Sequence, residues 1–107
     1  MPRMQRAGVS IAANSVSANQ LAGELYEVLG RPTLVTLAAA AAAVGLRVTW
    51  LIGGVAVVND QDVSGANRFP IAPDDIVTQE NGIGRMVLTF RNTTGAAITV
   101  SWFVDLQ

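Results

Sequence analysis

The sequence of 107 residues predicts an all-β protein, an antiparallel β-sandwich of jelly-roll type with about seven or eight short strands. Apolar and polar residues alternate with a period of two in several segments, and turn-forming residues separate those segments at regular intervals. Half of the residues are apolar and 14% are charged, so the chain has enough apolar surface to form a core. At this length we expect one domain.

We expect residues 17–107 to form this domain and residues 1–16 to form an N-terminal arm or an edge strand. Arg3 and Arg6 lie in a stretch without acidic residues, so an arm could pair with carboxylates of a neighbouring subunit. A frayed, solvated terminus is the alternative interpretation. No secretory signal is expected, because the residues after Arg6 are too small and polar for its apolar region.

Residues 18–29 fit either a helix or a strand. Ser17, with Gln20 three residues later, matches the capping box of a helix. Gly23 would destabilise a helix interior, and Leu21–Val28 can equally be extended. We therefore favour a strand here.

The alanine-rich stretch 33–44 poses the same choice. Alanine is the best helix former, and Gly45 could end a helix. Val35 and Thr36 precede the alanines and strand-like alternation follows them, which favours one long strand. The methyl groups of Ala38–Ala43 would then form either a flat surface for another copy or another protein, or an ordinary core layer.

The clearest alternation follows the alanines. Leu46–Ile52 places apolar side chains on one face, Gly53–Gly54 can form a tight turn, and Val55–Val58 is β-branched. The sequence therefore predicts a hairpin. Leu34–Val58 also has the length of a membrane span, but Arg47 would lie near the middle of the bilayer, so we expect no membrane insertion.

A second hairpin is predicted near the end of the chain. Arg85–Arg91 and Ile98–Asp105 both alternate, and Asn92–Gly95 between them has the residues of a turn. Before this hairpin we expect short strands joined by loops, with strand over Ile76–Thr78 and a loop over Asn81–Gly84.

The aromatic and aliphatic residues of the alternating segments divide between two faces. Trp50 and Trp102 alternate with core residues and are expected to be buried anchors. Leu51, Val87 and Phe103 fall on the opposite faces of their strands, where polar residues are usual. This excess of outward apolar surface indicates contacts in an oligomer or a larger assembly.

The composition argues against catalysis. The chain lacks cysteine, histidine and lysine, which removes the usual general base, thiolate or amine nucleophile and nitrogen metal ligands. Glu24 with Glu27, or Asp74 with Asp75, could be proposed as a glycosidase pair, but neighbours on a strand do not face each other across a sugar. We expect no enzyme activity and no cofactor. The net charge of −1 also argues against a nucleic-acid partner.

Asp60 and Asp62 have the spacing that opens a calcium-binding loop. The EF-hand pattern fails, because the twelfth position counted from Asp60 is Ile71. We therefore interpret these acids as solvated turn residues, with a loop calcium site as the alternative.

Four parts of the sequence carry a resemblance: Ser17–Gly23, Tyr26–Leu29 with Arg31–Pro32, Phe69–Asp75 and Arg91–Ala96. In order and composition the chain resembles small virion proteins of tailed and other bacteriophages, over about residues 10–107. The resemblance implies a compact jelly-roll or β-sandwich subunit that sits in or on a capsid as a minor capsid, cement or decoration protein. The chain is shorter than a typical jelly-roll coat subunit, which favours an accessory role.

The sequence thus leads to two functional hypotheses. The first is a virion structural protein, made in the host cytoplasm, that forms a trimer or pentamer and binds a major capsid protein. The second is a ligand-binding β-sandwich, lectin-like or contacting a host receptor, with exposed loops at Asp60–Arg68 and Asp74–Gly84. For the first hypothesis, the residues expected to make contacts with the capsid or between subunits are Arg3, Arg6, Leu51, Val87 and Phe103.

Overall fold

The computed structural model describes residues 3–24 and 26–107, and these residues form an all-β structure without a helix. Its six strands are β1 (Arg3–Ile11), β2 (Val28–Ala41), β3 (Leu46–Ile52), β4 (Val55–Asp62), β5 (Ile76–Asn92) and β6 (Ile98–Leu106). They form one antiparallel sheet in the order β1-β6-β2-β5-β3-β4. The all-β prediction is confirmed, with six strands in place of the seven or eight expected.

The strand β5 explains part of this difference, because the loop predicted over Asn81–Gly84 lies inside it. The first part of β5 pairs with β2 and its last part pairs with β3. A straight strand of 17 residues would extend over about 55 Å, whereas the longest dimension of the molecule is 40 Å. The strand must therefore bend. Gly84 has a φ of +99°, and a side chain on Gly82 would collide with Ile52, so these glycines permit the bend.

The first predicted hairpin is confirmed. The strands β3 and β4 pair antiparallel, and Gly53–Gly54 forms the two-residue turn with φ of +60° and +83°. The opposite edge of β3 pairs with the last part of β5.

The second predicted hairpin is wrong, although both of its strands exist. The strands β5 and β6 follow each other in the chain but do not pair, because β6 lies between β1 and β2. Ala39, for example, pairs with Trp102. Alternation with a period of two predicts a strand with one buried face, and it does not identify the strand's partner.

The buried side chain of Asn92 makes hydrogen bonds at the point where the chain leaves β5 and crosses to β6. It is 1% exposed and lies at the end of β5. Its Nδ2 donates to the carbonyls of Ile11 and Ala96 at 3.1 and 2.8 Å, and its Oδ1 accepts from the amide and hydroxyl of Thr94 at 2.9 and 2.8 Å. All four hydrogen-bonding positions of the amide are thus used. They connect the end of β1, the end of β5 and the crossing to β6.

The strand predicted over Leu21–Val28 is also wrong, since β2 begins only at Val28 and the residues before it form turns; Leu25 lies outside the described residues. No helix forms in the described part of 18–29 either. The Ser17 hydroxyl accepts from the Phe90 amide at 2.9 Å, and Asn19 Oδ1 accepts from the Leu88 amide at 2.9 Å. Ser17, which resembles a helix cap in the sequence, and Asn19 therefore satisfy the open edge of β5.

The alanine-rich stretch is a strand as far as Ala41, as predicted, and both faces of Ala38–Ala41 are buried, whereas Ala42 and Ala43 follow the strand and are exposed. Ala39 and Ala41 belong to the main core. Ala38 and Ala40 face the other way and are 0% and 2% exposed, because residues 64–75 run along this part of β2. The four alanines of the strand, Ala38–Ala41, therefore form interior layers and offer no flat outer surface.

Trp50 and Trp102 are completely buried, as predicted. They lie in one core cluster with Leu37, Leu88 and Phe90. The stretch considered as a membrane span, residues 34–58, forms strand and turn structure, and the described residues contain no helix long and apolar enough to cross a membrane.

We predict that Asn92→Ala lowers the free energy of unfolding by about 1–3 kcal/mol, because it removes the buried hydrogen bonds that the amide makes to Ile11, Ala96 and Thr94. Asn81→Ala is the matched control: it changes an exposed asparagine of the same strand and should cost less than about 0.5 kcal/mol. Urea denaturation monitored by tryptophan fluorescence measures both. Equal losses for the two variants would show that Asn92 has no special part in the fold.

Candidate interaction surfaces

The outward face of β3 and its neighbours carries two of the predicted contact residues side by side. Leu51 pairs in register with Val87 on β5 and with Ala56 on β4. Thr49 and Thr89 form the next pair on the same face of these two strands. Leu51 and Val87 are half-buried, whereas Trp50 and Leu88, which point inward, are fully buried. We call the surface formed by Leu51, Val87, Ala56, Thr49 and Thr89 the outer face.

One end of the outer face is bordered by a network of ion pairs. Asp60 accepts from Arg91 Nε and Nη2 at 3.0 and 2.6 Å, and Arg47 Nε lies 3.2 Å from the same carboxylate. Arg47 also donates to Asp62 at 2.9 Å. The hydrogen bonds from Arg91, with a smaller contribution from Arg47, lower the pKa of Asp60 below its ordinary value. The outer face thus has an apolar and threonine centre with a charged border.

The same network bears on the calcium hypothesis. Asp60 and Asp62 direct their carboxylates to Arg47 and Arg91, which are cations that a calcium ion would have to displace. In residues 3–24 and 26–107, no group of three or more carboxylate, histidine or cysteine side chains is placed to bind a metal ion.

Phe103 lies on the side opposite the main core but is not exposed. It is 3% exposed, because residues of the same chain cover it. The ring of Phe69 stacks on it with centroids 6.1 Å apart, and the guanidinium of Arg3 lies 4.0 Å from its ring centroid. Phe103 therefore differs from Leu51 and Val87, which keep part of their surface open.

The two N-terminal arginines both bind acids of their own chain. Arg3 makes two hydrogen bonds to Asp105, at 2.6 and 2.9 Å, and lies in β1 at one edge of the sheet. These bonds raise the pKa of Arg3 above its ordinary value. Arg6 is 3.3 Å from Glu24. In this structure neither arginine is free to pair with a neighbouring subunit without breaking an internal contact.

The loops assigned to a ligand-binding module are arranged differently from expectation. Of the region Asp74–Gly84, all residues from Ile76 onward belong to β5. Within Asp60–Arg68, the last residues begin the segment 64–75, which crosses the sheet and supplies Phe69 to cover Phe103. The two regions therefore do not form a pair of open loops.

Asp75 holds the segment 64–75 in place. Its side chain is 2% exposed, accepts from Arg68 Nε at 3.0 Å and accepts from the Ile71 amide at 3.0 Å. Burial raises the pKa of Asp75, but the hydrogen bonds from Arg68 and Ile71 favour the carboxylate more strongly, so the pKa lies below its ordinary value. Its neighbour Asp74 is exposed, and its carboxylate makes a single long contact with Arg68, at 3.8 Å.

We predict that Asp75→Asn lowers the free energy of unfolding by about 1–3 kcal/mol at pH 7. Folding lowers the pKa of Asp75, so the charged carboxylate stabilises the folded state. This stabilisation is fully present at pH values above the pKa of the unfolded state, about 3.9, and is lost as the pH falls through the pKa of the folded state. The difference between the wild type and Asp75→Asn should therefore narrow below about pH 4. Denaturation curves at several pH values measure it.

Asp74→Asn is the control, since this carboxylate is exposed and makes one long contact. It should leave the stability nearly unchanged over the same pH range. Similar losses for Asp74→Asn and Asp75→Asn would contradict the role given to Asp75.

No model of a known protein family matches the chain, and neither does any curated protein or solved structure. The proposal for its function therefore depends on the surfaces described above.

Proposed function

We propose that this chain is a structural protein of a virus particle, a minor capsid or cement protein that stabilises a phage capsid through protein–protein contacts. Its outer face supports this proposal most directly. Leu51 and Val87 sit at the centre of a pleated surface on which threonines replace charged residues, and ion pairs lie at its border. An apolar centre with a polar border is the usual composition of a protein–protein interface.

The distribution of charge also supports a role in contacts. Six of the seven arginines bind acidic residues of the same chain; only Arg31 has no ion-pair partner among the described residues. Arginines engaged in this way are poorly suited to binding phosphates, so we propose no nucleic-acid partner. Most of the carboxylates are held by arginines as well, and we propose no catalytic role for them.

We propose that the strands pack as a two-layered β-sandwich. The bend required in β5 and the pairing of its two parts with β2 and with β3 support this arrangement. In this arrangement Trp50 and Trp102 lie between the two layers. A core of this kind holds a small subunit together by burial alone, which suits a protein without disulfides.

The first hypothesis assigns the outer face to the major capsid protein and gives the subunit a place in the virion after synthesis in the host cytoplasm. A cement protein meets many identical sites on a symmetric shell, so a modest contact is repeated and the avidity becomes high. The half-buried state of Leu51 and Val87 fits a contact of modest area.

We predict that the double variant Leu51→Thr/Val87→Thr remains folded but is lost from virus particles. Threonine has the β-branched shape that strands favour and reduces the apolar surface at both positions, so binding should fall about tenfold or more. The measurement is the amount of each protein that co-sediments with particles in a density gradient, detected with an antibody to the chain.

The control is Ile71→Thr/Ile76→Thr, which replaces two exposed apolar residues by threonine in the segment 64–75 and at the beginning of β5, outside the outer face. This variant should remain on the particles. A wild-type chain that is absent from particles, and that binds a sugar saturably on a glycan panel, would overturn the proposal in favour of the ligand-binding alternative.

A further inference from the structure

One end of the described structure is formed by connections that contain no charged residue, with Arg68 at its margin, where it lines a cavity with Ala42 and Asn67. Four connections meet there: residues 12–15, 42–45, 63–67 and 93–97. They consist of alanine, glycine, serine, threonine, asparagine and valine only. The Asn14 amide donates to Thr94 O, the Thr93 amide donates to Gly45 O, and Gly65 packs closely on Val44. We call this surface the uncharged end.

The uncharged end projects one large apolar side chain. Val44 is 78% exposed, the highest value of any large apolar residue described. Ala42 and Ala43 beside it are exposed as well. Loop surfaces normally carry polar and charged side chains, which keep them hydrated. Four adjoining connections without charge therefore form an unusual surface for contact with water.

The opposite end of the molecule has a cavity. The strand β2 extends from the uncharged end at Ala41 to this second end at Val28, along a molecule 40 Å in its longest dimension. Gly30, Arg31 and Pro32 have no partners on β5, because the register shifts between Leu29 and Thr33. The cavity beside this bulge has a volume of about 210 Å³. Its lining residues include Tyr26, Val28, Leu29, Arg31, Thr33 and Leu106.

Exposed apolar residues surround the cavity. Val28 is 62% exposed, and the tight turn beside it contributes Val55 at 65%. Ile83, at the bend of β5, is 52% exposed. These positions are connected, because Arg85 pairs with Val28 and its carbonyl accepts from the Gly53 amide at 2.9 Å. We call this surface the cavity end. Both ends of the long axis thus expose apolar side chains, and the ion pair of Arg85 with Glu27 lies beside Val28 at the cavity end.

We infer that copies of this chain stack head to tail, with the Val44 loop of one copy against the cavity end of the next. The valine side chain is smaller than the cavity, and its apolar surface matches the leucines that line it. Contact between two uncharged ends would instead bring Val44 against a second cavity, whose lining of Asn67, Arg68, Thr99 and Ser101 is polar and suits a valine side chain less well. The two surfaces lie on different ends of one chain, so a second copy supplies the complementary surface.

Charge is compatible with this contact. The cavity end carries Arg31, which has no ion-pair partner among residues 3–24 and 26–107. The four connections of the uncharged end contain no cation, Arg68 beside them is neutralised by Asp75, and the loop carbonyls can accept from the guanidinium of Arg31. The cost of covering Arg31 is therefore offset by hydrogen bonds.

The available area limits the strength of the contact. The two shorter dimensions, 25 and 21 Å, allow about 500 Å² at each end. Two such surfaces fall at the lower limit for specific interfaces, so a single contact should be weak and concentration-dependent. A heterologous contact of this type leaves one free surface at each end and can therefore continue into a ring or a filament. This inference rests on the proposed function as a structural protein. It places the contact between subunits at the uncharged end and the cavity end.

Sedimentation velocity over a wide range of concentration tests the inference. The wild type should associate in a concentration-dependent manner, and Val44→Asp or Val28→Asp should weaken association about tenfold or more. A mixture of the two variants should form dimers and nothing larger, because Val44→Asp keeps an intact cavity end and Val28→Asp keeps an intact uncharged end. Circular dichroism checks that both variants fold.

Gln79→Asp is the control, because it places the same charge at an exposed residue that pairs with Thr36 midway along β2, between the two ends, and it should associate like the wild type. Association unchanged in both end variants, or a mixture that stays monomeric, would overturn the inference. If the chain is found on virus particles and never self-associates, the stacking is wrong while the proposed function stands. If it self-associates and is absent from particles, the proposed function fails alone.

Discussion

The hydrogen bonds of Asn92 are the constraint on which the rest of the structure depends. One buried amide connects the end of β1, the end of β5 and the crossing to β6, with every donor and acceptor used. Without this connection the alternating segments on either side could pair as a simple hairpin. With it, β6 enters between β1 and β2, and Trp102 joins Trp50 in one core. A fully satisfied polar group in an apolar interior favours one arrangement of strands over others.

The crossing from β5 to β6 also determines which residues lie at the two ends of the molecule. It brings four connections of small residues together at one end, while the bend of β5 and the start of β2 form the other. Small residues suit the first end because the chain crosses itself closely there: a side chain on Gly45 or Gly65 would collide with neighbouring atoms. The charged side chains lie outside these connections, and Arg91, Asp60 and Arg47 among them border the outer face.

The sequence predicts what depends on local periodicity and misses what depends on partners. Strand character in the alanine stretch, the hairpin at Gly53–Gly54 and the burial of both tryptophans followed from alternation and turn chemistry. The pairing of β6 did not, because a strand's alternation is the same whichever neighbour it has. Phe103 was correctly placed opposite the core, but its cover by Phe69 comes from a distant segment. The alternation of residues also does not predict that the cavity lies at the opposite end from Val44. The lack of charged residues in the four connections, by contrast, can be read from the sequence.

The most direct test of end-to-end assembly is small-angle X-ray scattering of the wild-type protein over a concentration series. Head-to-tail stacking predicts that the maximum dimension grows from about 40 Å toward about 80 Å, while the cross-section stays near that of one molecule, 25 by 21 Å. Growth of the cross-section at constant length would show that copies associate through their sides. A maximum dimension that stays at the single-molecule value at every concentration would contradict the contact itself.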